Sequence, residues 1–123
     1  MARFDTHVVV WLHTDEPILS RGALDALDAD PPIVSPMVEL ELQFLHERGR
    51  IRPEPREILG DLEARIGLRT SPVAFDRVVT TATGLTWTRD PFDRLIVADA
   101  IAAADRLITR DRRIREHVPD AVW

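Results

Sequence analysis

The chain has 123 residues, 45% hydrophobic and 30% charged, which is the length and balance of one soluble globular domain spanning 1–123. It contains no cysteine and no lysine, which excludes a disulfide framework, a thiolate zinc site, a P-loop and any Schiff-base lysine. All 16 basic residues are arginine and the net charge is −5, so any contact with nucleic acid requires the acids to be offset locally. Apolar runs such as Val8 to Leu12 are too short to span a bilayer, and Asp5 falls where a signal peptide would need an apolar core. The expectation is a cytoplasmic protein with no membrane association.

In chain order, residues 2–5 read as a short strand running into a helix through Val8 to Leu12. Ser20 to Asp28 reads as a Ser-capped helix, and Pro32 to Val34 as a short buried strand. Ser35-Pro36 places a cap and a first-turn proline ahead of a helix running to Arg48, with Gly49 as its stop. Pro55 to Ile66 is the next helix, ended by Gly67, and Leu68 to Thr70 is a strand. Ser71-Pro72 repeats the cap signal and predicts a helix to Thr83. Asp90-Pro91 predicts another, ending near Ala104. Arg106 to Thr109 is a strand, followed by a short helix over Asp111 to His117. Strands alternating with helices predict an α/β fold with a parallel sheet.

Several carboxylates sit where such a fold does not need them. On the helix from Pro36, a 100° advance per residue groups Met37, Val38, Leu40, Leu42, Phe44 and Leu45 on one apolar face. Glu39 then lies on the solvent side with Gln43 and His46. Glu41 lies within the apolar face, unless the helix is rotated so that it reaches a rim. A lone buried carboxylate is costly unless paired or bound to a metal. The helix from Pro91 repeats the pattern: Asp93 falls inside the face formed by Phe92, Ile96, Val97, Ala100, Ile101, Ala103 and Ala104, with Arg94 and Asp99 towards its edges. Asp90 is a helix cap, and Asp93 resembles its capping-box partner. Asp5 and Asp111 follow strands, where open parallel sheets bind ligands; each is also an ordinary turn or cap residue. Convergence of Asp5, Glu41, Asp93 and Asp111 would require a cation, because like charges raise one another's pKa. All-oxygen ligands suit Mg²⁺ or Mn²⁺.

These residues lie in segments that resemble the PIN-domain ribonuclease toxins of the VapC type, over essentially the whole chain. The segments are Phe4-Asp5-Thr6-His7-Val8 to Trp11-Leu12; Ser35 with Leu40-Glu41-Leu42, the acid six residues after the serine; Arg89-Asp90-Pro91-Phe92-Asp93-Arg94-Leu95-Ile96; and Leu107-Ile108-Thr109-Arg110-Asp111. The third is the most specific. The resemblance implies a three-layer α/β/α domain with a central parallel sheet. It implies Mg²⁺- or Mn²⁺-dependent endoribonuclease activity, the role of toxin in a toxin–antitoxin system, and a cognate antitoxin that blocks the site. Glu39, two residues before Glu41, leaves the second acid ambiguous by motif.

The chemistry would be metal-assisted phosphodiester hydrolysis, with Asp5, Glu41 and Asp93 as metal ligands and Asp111 acting through water or at a second ion. Thr6 and Thr109 are candidates to hydrogen-bond a ligand carboxylate, or only the local backbone, and Asp90 to support the site or cap its helix. Arg110, Arg112 and Arg113 flank Asp111 and are candidate RNA contacts; a solvated charged face or antitoxin contacts are the alternative. Arg89, Arg94, Arg106 and Arg115 add positive charge to the same third of the chain. His7, His13, His46 and His117 form no zinc pattern, and His7 is expected to pack or cap. Trp11, Trp87 and Phe92 are expected in core or dimer packing rather than on bases. Trp123 and the amphipathic segment Pro53 to Ile66 suggest a homodimer. Two rival readings are a phosphotransfer domain, which lacks its lysine here and has His7 where a dehalogenase-like phosphatase has Asp, and a non-catalytic PIN-like RNA-binding or scaffold module.

Overall fold

Strands β1 (Ala2–Phe4), β2 (Ile33–Val34), β3 (Arg69–Thr70), β4 (Arg106–Ile108) and β5 (Ala121–Val122) form one parallel sheet in the order β3-β2-β1-β4-β5. The computed structural model describes all residues, 1–123. Arg3 lies between Ile33 and Leu107, and Phe4 pairs with Ile108. The strand order runs outward from β1 in both directions. That places a topological switch point between β1 and β4, where ligands bind beyond the carboxyl ends of parallel strands. Asp5 follows β1 there and Thr109 follows β4.

The sheet is flanked by helices α1 (Thr6–Thr14), α2 (Arg21–Ala29), α3 (Pro36–Glu47), α4 (Pro55–Ile66), α5 (Phe75–Thr83), α6 (Pro91–Ala102) and α7 (Arg112–His117). Their starts follow local chemistry. Ser20 Oγ accepts from the Ala23 N–H at 3.0 Å and Ser35 Oγ from the Met37 N–H at 3.1 Å. Gly67 ends α4 with a φ of 70°, a left-handed conformation that a side chain would resist. The main core joins Phe4, Val8, Val9, Leu42, Ile58, Leu62, Leu107, Ile108 and Ile114. No helix is long and apolar enough to cross a membrane.

Four expectations are corrected. The helix predicted from Ser71-Pro72 begins only at Phe75, with no side-chain cap. Ser71 is engaged elsewhere: its N–H donates to Val34 O at 2.8 Å, prolonging the sheet ladder, and its Oγ donates to Asp99 at 2.8 Å. The buried line of α3 is Val38 and Leu42, whereas Leu40 is 55% and Phe44 42% exposed. Glu41 therefore lies about 80° round the helix from that line, at a rim rather than at its centre. Asp99, placed towards an edge by periodicity, is only 1% exposed and joins Arg3, itself 4% exposed, at 2.6 Å. In the same helix Ile101 is exposed, and α6 ends at Ala102, short of Ala103 and Ala104.

The two features that suggested a homodimer are largely engaged within the chain. The buried face of α4, Ile58 and Leu62, belongs to the main core, and the Trp123 ring meets Trp11 edge-on at 5.8 Å. Trp11 and Trp87 both pack on the core as expected, but Phe92 belongs to neither hydrophobic cluster. The final strand β5, beyond the elements expected from the sequence, pairs with the free side of β4 through Ala121 and Val122.

Candidate active site

Asp5 closes β1 and caps α1. Its backbone N–H donates to Ile108 O at 3.0 Å, which fixes it to the end of β4. Both carboxylate oxygens are held: Oδ1 accepts the Thr6 N–H at 2.7 Å and Oδ2 accepts the Thr109 hydroxyl at 2.6 Å. Thr109 Oγ1 in turn accepts the Asp111 N–H at 3.0 Å. The hydroxyl of Thr6 donates to Glu41 Oε1 at 2.5 Å, so one threonine ties the acids of α3 and β1 together.

Glu41 and Asp93 come from helices that pack on each other, α3 and α6. Asp93 accepts no hydrogen bond from the chain, although Asp90 beside it accepts two, from the N–H groups of Phe92 at 2.9 Å and Asp93 at 3.4 Å. The reciprocal half of a capping box does not form. The Asp90 N–H donates to Thr88 Oγ1 at 3.2 Å instead. Asp111 caps α7, accepting the Ile114 N–H at 3.0 Å, and is exposed.

The electrostatics follow from this crowding. Burial raises the Asp5 carboxyl above its ordinary value, opposed by the Thr109 hydroxyl, the Thr6 N–H and the charge of His7. Burial also raises Glu41, opposed by the Thr6 hydroxyl and reinforced by Asp5. Asp93, with no donor to offset burial, is pushed up to about 7, with Asp90, Asp5, Glu41 and Asp111 adding repulsion. Thus the four acids singled out in the sequence share one field. Glu39 is exposed and does not contribute to it.

The arginines divide. Arg110 lies over the Trp11 ring at 5.9 Å with no acidic partner. Arg112 pairs with Glu116 at 3.1 Å on the surface. Arg113 donates to the Trp87 carbonyl. Arg94 bonds the carbonyls of Ala82 and Thr83, tying α5 to α6. His7 caps no helix; it is exposed in the first turn of α1, its ring tilted against Trp11 at 6.1 Å between centroids, close enough to be felt by both Asp5 and Glu41. Its position two residues after Asp5, at a helix start, was the available signal. Phe44 and Phe92 also meet beside the acids, at 5.4 Å between ring centroids.

Acids gathered at the switch point of a parallel sheet mark a ligand-binding edge, and a PIN domain family model matches residues 3–118. The chain belongs to the PIN-domain family. It is 34% identical over 125 residues to Ribonuclease VapC22 of Mycobacterium tuberculosis strain H37Rv, covering 97% of this chain and 95% of that protein, and is thus a homologue of a VapC ribonuclease. The fold matches the crystal structure of VapBC2 from Rickettsia felis bound to a DNA fragment from their promoter. There the TM-score is 0.68 at 17% identity, over 98% of this chain and 95% of that one. It also matches a toxin–antitoxin complex from Klebsiella pneumoniae, with a TM-score of 0.69 at 19% identity over 100% and 97%.

Proposed function

We propose that this chain is the ribonuclease toxin of a toxin–antitoxin pair and hydrolyses RNA phosphodiester bonds with Mg²⁺ or Mn²⁺ held by Asp5, Glu41, Asp93 and Asp111. The observation that carries this reading is Asp93: a half-buried carboxyl with no donor, pushed up to about 7 by burial, with four neighbouring acids adding repulsion. Such a group is only about half ionised at neutral pH, and a bound cation would hold it in the charged form.

The donor set is all oxygen, which fits a hard divalent cation. As the side chains stand, no three of the His, Asp and Glu groups close around a point that would hold an ion. Asp5, fixed through both oxygens, is the anchor; Glu41 and Asp93 are the adjustable members. A bound divalent cation would polarise the phosphate and lower the pKa of a bound water. Thr6 and Thr109 orient Asp5 and Glu41 by hydrogen bonding their oxygens. Arg110, unpaired with any acid, and Arg112 and Arg113 beside Asp111 supply positive charge for the RNA backbone.

The likeness to two toxin–antitoxin assemblies supports a protein antitoxin as partner. Inducing the chain in cells, alone and with Asp5→Asn, and mapping new RNA 5′ ends tests the reading. New ends should appear with the wild-type chain only. Toxic expression without new ends would overturn it.

A further inference from the structure

Phe44 and Phe92 are large apolar side chains that the core does not use. Neither belongs to the main hydrophobic cluster or to the small one under α5. Phe44 is 42% exposed, although the helix that carries it has a fully buried side at Val38 and Leu42. Full burial of such a ring is worth about 1.5–3 kcal/mol, so leaving it outside needs a reason.

Its position supplies one. Phe44 lies one turn beyond Glu41 on α3, on the same flank and about 4.5 Å further along the axis. Phe92 is the residue before Asp93 on α6. The rings meet at 5.4 Å with a 45° tilt, so they bridge the two helices that carry Glu41 and Asp93. The guanidinium of Arg48, free of any acidic partner, lies 5.4 Å from the Phe44 ring centroid and places a cation at the outer end of the step.

An acidic cleft on a chain of net charge −5 repels a polyanion. Affinity beside such a cleft is best drawn from the neutral part of a nucleotide, the base, whose face stacks on an aromatic ring whatever its sequence. We propose that Phe44 and Phe92, with Arg48, form a stacking seat for one unpaired RNA base next to the scissile phosphate, with Arg48 meeting the neighbouring phosphate. This rests on the nuclease reading above and adds to it a mode of substrate recognition. The seat requires an unstacked base, so it favours single-stranded loops over duplex.

The test uses the full chain and a single-stranded oligoribonucleotide carrying 2-aminopurine at each position in turn. Phe44→Leu keeps the apolar bulk and removes the aromatic face; Phe44→Trp keeps the face. In cleavage assays Phe44→Leu should raise KM about tenfold, the scale of one lost base stack, with kcat changed less than about twofold. Phe44→Trp should restore KM. Binding to an Asp5→Asn background should quench 2-aminopurine at one position, and Phe44→Leu should abolish that quench. Wild-type cleavage with KM and quench unchanged in Phe44→Leu overturns the seat and leaves the nuclease reading intact, all the more if Phe44→Leu instead weakens a protein partner. Binding with a Phe44-dependent quench but no cleavage by the wild-type chain upholds the seat and defeats the nuclease reading. No quench at any position overturns the seat.

Discussion

Thr6 donates its hydroxyl to Glu41 at 2.5 Å while its own N–H donates to Asp5 at 2.7 Å, so a single residue at the start of α1 sets the relation between two acids 36 positions apart. The backbone half of this link survives any substitution other than proline. The hydroxyl half does not. Thr6→Val should therefore leave Asp5 in place, release Glu41, and lower cleavage about 10–100-fold, the usual scale for groups that orient metal ligands. Thr6→Ser should recover most of it. Equal activity of Thr6→Val and wild type would show that the link is incidental.

Glu41 and Glu39 separate cleanly. Glu41 faces Thr6 and Asp5, whereas Glu39 is exposed. RNA cleavage should be largely lost in Glu41→Gln and retained in Glu39→Gln, measured on the same substrate. The reverse outcome would mean that α3 presents its other flank to the chemistry.

The raised acids make a pH prediction with a definite sign. Asp93 titrates near about 7 in the folded chain and near 3.8 when unfolded. Between those values the native state binds the proton that the unfolded state has released, so stability falls as pH rises through this window. Asp5 and Glu41 act in the same direction. In EDTA, the melting temperature of Asp93→Asn should decline less over this window than that of the wild type, and Mg²⁺ should flatten the wild-type decline. Parallel curves for the two proteins would contradict the crowding of charge described here.

A separate prediction concerns the fold alone. Arg3 and Asp99 form a buried pair at 2.6 Å, and Asp99 also accepts from Ser71. Asp99→Ala leaves the Arg3 guanidinium inside without that partner and should cost about 3–5 kcal/mol in denaturant unfolding. A loss below about 1 kcal/mol would mean that Asp105, which also meets Arg3 at 3.0 Å, suffices.

What could be read in advance was whatever local chemistry determines. Ser20, Ser35 and Asp90 announce helix starts, Gly67 announces a stop, and an acid directly after an apolar strand marks the sheet's carboxyl edge. The partner of Asp99 could not be read, because it depends on which strand lies beside which. Arg3 reaches it only when β1 occupies the middle of the sheet. Periodicity likewise grouped Phe44 with Leu42 but could not fix the rotation of α3; that is set by packing on α1, α4 and α6. The two-residue strand β5 exists because β4 offers it an open edge, and nothing within Ala121–Val122 alone demands a strand.

We propose that the acids around Asp5 cut RNA through a metal-activated water. Such attack does not use the 2′-hydroxyl, so purified protein with Mg²⁺ or Mn²⁺ should leave 5′-phosphate and 3′-hydroxyl ends, and both EDTA and Asp5→Asn should abolish the products. Cyclic phosphate ends, or cleavage that persists in EDTA, would contradict it.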